Sequence, residues 1–170
     1  MKLRDCTTAF GHTFSVPTNI QRIDHKHTHG WQLRFGRWQF FADHSNDGSG
    51  SEKALHLATE ELRKRMMKLP APTGLRVASN QNKSSDLPVG VSGPIERSRP
   101  RRNFIQYYFQ VTFPVVGEKP VNRSVYIATE NTMTQERYDS ALSKAVAIRE
   151  AGVRRFKLGT TKAMRAGALG

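Results

Sequence analysis

A short alternation occurs twice in this chain and limits what it can fold into. In WQLRF, residues 31–35, the bulky side chains of Trp31, Leu33 and Phe35 fall on one face of a strand, and Gln32 and Arg34 fall on the other. In FQVTF, residues 109–113, Phe109, Val111 and Phe113 oppose Gln110 and Thr112 in the same way. Each motif is followed by a return segment, GRWQFFAD at 36–43 and NRSVYIATE at 122–130, the second reached through the longer loop PVVGEKPV. A helical pattern comes next, SEKALHLATEELRKRM in one case and TQERYDSALSKAVAIRE in the other. The spacing from Asp43 to Ala54 equals that from Glu130 to Ala141, and both lead into Ala-Leu with a further Ala three residues on. Duplication of one strand, strand, helix unit is the simplest account.

The helical stretches carry apolar stripes at three-and-four spacing. Ala54, Leu55, Ala58 and Leu62 form one, and Tyr138, Ala141, Leu142, Ala145 and Ile148 the other. Small alanines let a helix approach a sheet closely. One core should therefore hold Trp31, Leu33, Phe35 and Leu55, and the other Phe109, Val111, Phe113 and Leu142. Ser49 with Glu52, and Thr132 with Gln135, have capping-box spacing and place the helix starts nearby. A hairpin with one helix is marginal, so each unit needs a third strand. TNIQRID at 18–24 and LPVGVSGPIE at 87–96 are the candidates. The expected fold is α+β: two tandem units, each a three-stranded antiparallel sheet packed on one helix. Residues 1–17 are an N-terminal extension, 18–68 the first unit, 69–86 a Pro- and Ser-containing linker, 87–152 the second unit and 153–170 a basic C-terminal tail.

Charge points to the partner. The 170 residues carry 27 Lys and Arg against 14 Asp and Glu, a formal net charge of +13, and such a chain gains most by displacing counterions from a phosphate backbone. A single cysteine, Cys6, permits no internal disulfide and no cysteine-rich zinc site, in keeping with a reducing, cytoplasmic setting. MKLRDCTTAFGHTF has no apolar core long enough for a signal peptide, and no other stretch is expected to span a membrane.

Taken together, GVS at 90–92, HGWQLRF and GRWQFFAD at 29–43 and the Ala-Leu-x-x-Ala helix starts resemble the plant APETALA-two and ethylene-response-factor (AP-two/ERF) DNA-binding domain and its bacterial and phage relatives. The likeness covers most of residues 18–156. It implies a three-stranded sheet backed by one helix, with the exposed sheet face lying in the major groove of DNA.

Outward strand positions nominate the base-reading residues. For the first unit these are Arg22, Gln32, Arg34, Arg37 and Gln39; for the second, Arg97, Arg99, Gln110, Thr112, Arg123 and Tyr126. Arg offers a donor pair to guanine, and Gln a donor and an acceptor to adenine. Phosphate contacts are expected from Lys26 and His27, from Arg101 and Arg102 in the basic RSRPRR segment, and from Arg154 and Arg155 in the tail. Arg63, Lys64, Arg65 and Lys68 on the back helix read as a solvated surface. HKHTH at 25–29 presents alternating histidines, but no second ligand group completes a metal site, so it reads as a polar turn. ADHSND at 42–47 lacks the partners of a His-Asn nuclease centre; Asp43, Asp47 and Glu52 read as loop and helix-start acids.

The expected function is sequence-specific binding of double-stranded DNA, with no catalytic residue, metal or cofactor. Two unlike faces joined by a linker suit a monomer on an asymmetric site, and contact with the transcription machinery would fit such a regulator. A general nucleoid or RNA-binding protein and a DNA-binding accessory of a nuclease or recombinase are the alternatives. An RNA reader would need solvent-facing aromatics, for which Trp38, Phe41, Tyr107 and Tyr108 are the unresolved positions.

Overall fold

The computed structural model describes residues 1–76, 86–99 and 102–169, with the backbone alone at positions 99, 102, 103 and 169. The fold is α+β, with three small antiparallel sheets and two helices. Strands β1 (Leu3–Thr7) and β2 (Thr13–Pro17) pair as a hairpin, and β3 (Ile20–His25), β4 (Thr28–Leu33) and β5 (Gln39–Ala42) form a sheet in that order. Helix α1 (Ser51–Lys68) follows. Strands β6 (Val91–Arg99), β7 (Arg102–Phe113) and β8 (Val121–Thr129) make the third sheet, before a 3-10 turn (Glu130–Thr132) and α2 (Gln135–Leu169). The chain divides into two compact units, Met1–Ala71 with Thr161–Gly170, and Pro72–Thr160.

In the first unit Trp31, Leu33 and Phe35 are buried against Ala54, Ala58, Leu62 and Met66 of α1, and Leu55 packs on this core half-buried. Alternation along β4 sends these side chains to one face, and the three-and-four stripe of α1 receives them. The Trp31 indole N–H cannot be left unpaired inside a core, and it donates to the Ser51 carbonyl at 2.8 Å. Residues 1–17 are more than an extension. Val16 of β2 is fully buried in the same core, and the Phe14 ring meets Trp31 edge-on with centroids 5.8 Å apart. The turn between β1 and β2 closes through Thr8, whose N–H donates to the His12 carbonyl at 2.9 Å and whose carbonyl accepts from the Gly11 N–H at 3.0 Å.

Helix α1 begins at Ser51 with Gly50 as its N-cap and no side-chain cap; Ser49 donates instead to Asp47 Oδ1 at 2.7 Å. A Cβ on Gly50 would stand 1.8 Å from the Asp43 carbonyl, so only glycine lets the chain after β5 turn into the helix here. The helix stops at Leu69, which is extended because Pro70 follows. The tail is not a loose segment either, since α2 continues through it to Leu169, and Met164 and Ala168 pack in the first core.

In the second unit Phe109 and Val111 are buried with Val91, Val125, Ile127, Ala128, Ala141 and Ala145, while Phe113 and Leu142 pack against them half-buried. At Gly152 α2 comes close to the sheet: a Cβ there would lie 2.5 Å from the Phe113 ring. Thr134 caps α2, its hydroxyl oxygen accepting from the Arg137 N–H at 3.3 Å. Among the described residues no helix is long and apolar enough to cross a membrane.

Candidate nucleic-acid interface

Every strand of β6-β7-β8 turns alternate residues away from the core, and pairing aligns them into rows. Ser92, Gln110 and Ser124 form one row; Ile95, Tyr108 and Tyr126 the next; Thr112 faces Asn122, and Arg97 faces Gln106. The guanidinium of Arg97 lies across this surface. It donates to Ser124 Oγ at 2.9 Å and to Gln110 Oε1 at 3.5 Å, and sits 4.8 Å above the centre of the Tyr108 ring. Tyr108 in turn meets Tyr126 edge-on at 5.5 Å and donates its hydroxyl to Gln106 Oε1 at 3.0 Å. Thr112 donates to Asn122 Oδ1 at 2.6 Å. The result is a polar face built from one cation, amides, hydroxyls and two phenol rings, backed by an apolar core that fixes the strands.

On the first sheet the outward rows are Gln21, Gln32 and Phe40, and Ile23, Gly30 and Ala42. Arg34, just past β4, donates from Nε to Gln32 Oε1 at 2.7 Å. The Phe40 ring lies over Gly30, where an added Cβ would come within 2.6 Å of it. The β4–β5 loop presents Arg37 and Trp38, the latter 67% exposed. Arg65 holds that loop from α1. Its Nη1 donates to the Phe35 carbonyl at 3.1 Å and to the Arg37 carbonyl, its Nη2 to Gln39 Oε1, and its Nε to Glu61 at 2.7 Å. Arg65 therefore differs from the exposed Arg63, Lys64 and Lys68 with which the sequence groups it.

Three nominated base readers, Arg22, Gln39 and Arg123, lie on the core side of their sheets. Arg22 is paired across the strands with Trp31, so it points into the core, and its side chain is 5% exposed. It donates to Asp43 Oδ1 at 3.0 Å and Oδ2 at 2.6 Å, reaches both oxygens of Asp24 at 3.0 Å, and stacks 5.0 Å from the Trp31 ring. Asp43, which reads in sequence as a loop acid, is the fully buried anchor of this network and also accepts from Ser51 Oγ at 2.6 Å. Burial pulls the Arg22 pKa down, but hydrogen bonds from its guanidinium to Asp43 and Asp24 outweigh it and leave the group held more firmly charged than usual. At Asp24 burial pulls upward, while hydrogen bonds from Arg22, the Ala9 N–H and His29 outweigh it and hold the carboxyl at about 2. Gln39 is opposite Leu33, hence on the helix side, where Arg65 engages it. Arg123 is opposite Val111, also on the core side, with its guanidinium 5.8 Å from the Phe113 ring.

The remaining nominees divide by position. Gln32, Arg34, Arg97, Gln110, Thr112 and Tyr126 occupy the two open faces, and Arg37 is exposed in its loop. Lys26 and His27 are exposed in the β3–β4 turn, where Lys26 takes the left-handed conformation with φ of 50°. Arg154 and Arg155 are exposed on α2. Arg101 and the side chains of Arg99 and Arg102 lie outside the described residues. Gln106, Tyr108, Asn122 and Ser124 belong to the face without having been nominated; Gln106 and Tyr108 share the alternation of Gln110 and Thr112, which is the signal that marks them. Among the described residues no group of three or more His, Cys, Asp or Glu could hold a metal ion.

Comparison of the chain with protein-family models, with curated proteins and with solved structures gave no match.

Proposed function

We propose that this protein binds double-stranded DNA sequence-specifically and regulates transcription, reading the major groove with its two open sheet faces. The observation that carries the reading is the face of β6-β7-β8, where Arg97 is held over Tyr108 by Ser124 and Gln110 in the middle of donors and acceptors. A ribbon of strands fits a groove about 12 Å wide, and Arg, Gln, Asn and Thr on such a ribbon have the hydrogen-bonding groups that distinguish base edges. The net charge of +13 supplies the sequence-independent attraction. Arg154, Arg155, Lys26 and His27 would hold phosphates, positioning the faces without specifying bases.

On this reading the two sheet-and-helix units are tandem copies of one AP-two/ERF-like module that have diverged in their outward residues. Unlike faces recognise an asymmetric site, so one chain suffices without a palindromic partner. The protein works at the nucleoid, and its role includes no catalytic step.

Selection of bound duplexes from a random library, at a fixed salt concentration, tests this directly. One enriched, non-palindromic site is the expected result. Equal affinity for the starting pool and the final pool would overturn it.

One observation favours a second reading. Tyr108 and Tyr126 lie on the open face, Tyr126 at 47% exposure, and exposed aromatics on a sheet suit stacking with unpaired bases. Parallel selection from single-stranded DNA and RNA pools separates the two: tighter binding to an unpaired pool than to any duplex would favour stacking over groove reading.

A further inference from the structure

We infer that the open face of the first sheet reads thymine, through the 5-methyl group, so that the two faces differ in the base pairs they select. The inference rests on the double-stranded DNA reading. On this face Ile23, Phe40 and Ala42 are half-buried apolar residues, yet none of them belongs to the apolar core of the unit. Register places Ile23 and Ala42 on either side of Gly30, and Phe40 beside Gln32. Because Gly30 has no side chain, the Phe40 ring can lie down over the strand and form a smooth apolar floor next to the Gln32 amide.

The combination matches one kind of base pair. In the major groove adenine offers N7 as acceptor and its N6 amino group as donor, which a Gln amide can engage together, while its partner thymine offers the only methyl group there. Gln32 would take the adenine edge and Phe40 with Ile23 the methyl. Cytosine has no methyl at that place, and guanine with cytosine would leave the apolar floor against a polar edge. Charge agrees with a nucleic acid as the occupant. Arg34 lies on this face, bonded to Gln32, whereas the nearby carboxylates Asp24 and Asp43 are turned into the core by Arg22. On the second sheet the row of Ile95, Tyr108 and Tyr126 is covered at Tyr108 by the Arg97 guanidinium, and the row beside it holds Ser92, Gln110 and Ser124, so its apolar surface stands against a cation and hydroxyls where the first sheet sets Phe40 beside an amide. A methyl reader also discriminates DNA from RNA, because uracil lacks the group.

The probe is the duplex enriched from the random library, remade with dU in place of dT at one position at a time and bound by the full chain. Removing a contacted methyl should weaken binding about fourfold per group, the value of one buried methyl or methylene. The chain carrying Phe40→Ala, or Ile23→Ala should the former fail to fold, should bind the dT and dU duplexes alike. If the unaltered protein binds both duplexes equally at every position, the thymine inference is overturned while the enriched site still supports duplex recognition. If the dU loss persists in both variants, the methyl is read elsewhere and the assignment to this face falls. Failure to enrich any duplex would instead remove the DNA reading on which the inference stands.

Discussion

Arg22 and Arg97 each sit on the first strand of a three-stranded sheet, and they end on opposite faces. Arg22 is opposite Trp31 and is drawn inward to Asp24 and Asp43; Arg97 is opposite Gln106 and lies outside, across Tyr108. Cross-strand neighbours share a face, so the partner's side decides whether an arginine holds the fold or is offered to a ligand. The inward choice requires carboxylates. Two are supplied, and the first core has a charged floor where the second is apolar and aromatic. The outward choice requires only neutral acceptors at its edge, and those leave the cation able to exchange them for a base.

The sharpest way to break this comparison is to remove the inward partner. Asp43→Ala leaves Arg22 buried with half its ligands gone, and should cost about 3 to 5 kcal/mol of first-unit stability. Urea denaturation in a Trp38→Phe background, followed by Trp31 emission, measures it, because the Trp31 indole lies in the affected core and the exposed Trp38 would add a signal of its own. A loss below about 1 kcal/mol would mean that water replaces the carboxylate and that the network holds little together.

Acid tests the same network more gently. Asp24 has its carboxyl held at about 2, below its ordinary 3.8. A depressed carboxyl contributes stability that is complete above its unfolded value and is lost as pH falls through its folded one. First-unit stability should therefore fall between about pH 4 and pH 2, and Asp24→Asn should flatten that part of the curve. An unchanged acid limb in the variant would locate the acid sensitivity elsewhere.

The outward arginines should show the converse behaviour. Arg97→Ala should change stability by about 0.5 kcal/mol or less, yet cost about 1 to 3 kcal/mol of affinity on the preferred duplex and much less on random DNA. Arg34→Ala should behave alike on the first face. Binding isotherms on both duplexes decide it, and equal losses would make either face a cationic surface without selectivity.

The smallest effect is expected from the helix cations. Arg154→Ala and Arg155→Ala should weaken preferred and random duplexes together, each making the salt dependence shallower by roughly one unit. A loss confined to the preferred duplex would turn these residues from phosphate contacts into base readers.

The alternation in WQLRF and FQVTF was enough to sort core from open face over those five residues of each, because every second residue there is plainly apolar. It failed in TNIQRID. There Ile20, Arg22 and Asp24 share the inward face, so hydropathy reports the wrong side wherever a core is closed by ion pairs. Gln39 and Arg123 misled for a related reason: each occupies a core-side position at a sheet edge, where a polar residue can reach solvent or a neighbour such as Arg65. Residues 1–17 gave no periodic signal because the four that pack on the core, Met1, Cys6, Phe14 and Val16, are scattered over a terminus and two short strands. The tail hid its helix behind its charge. Arg154, Arg155 and Lys162 are exposed on α2, and its buried side there depends on small residues such as Gly152 and Ala168.

That helix also imposes an order on synthesis. Met164 and Ala168 complete the core built around Val16 and Trp31, although more than ninety positions of chain separate them from Ala71, where the first stretch of that unit ends. At ribosomal speeds the missing pieces emerge roughly 5 to 20 s after the rest. Until then the nascent first unit keeps part of its apolar interior uncovered, and its last contacts are among the longest-range in the molecule, the kind that form slowly. The second unit, drawn from the one continuous stretch Pro72–Thr160, has all its parts before then. The part made first is thus the part finished last, and chaperone occupancy on stalled nascent chains should peak over the first unit.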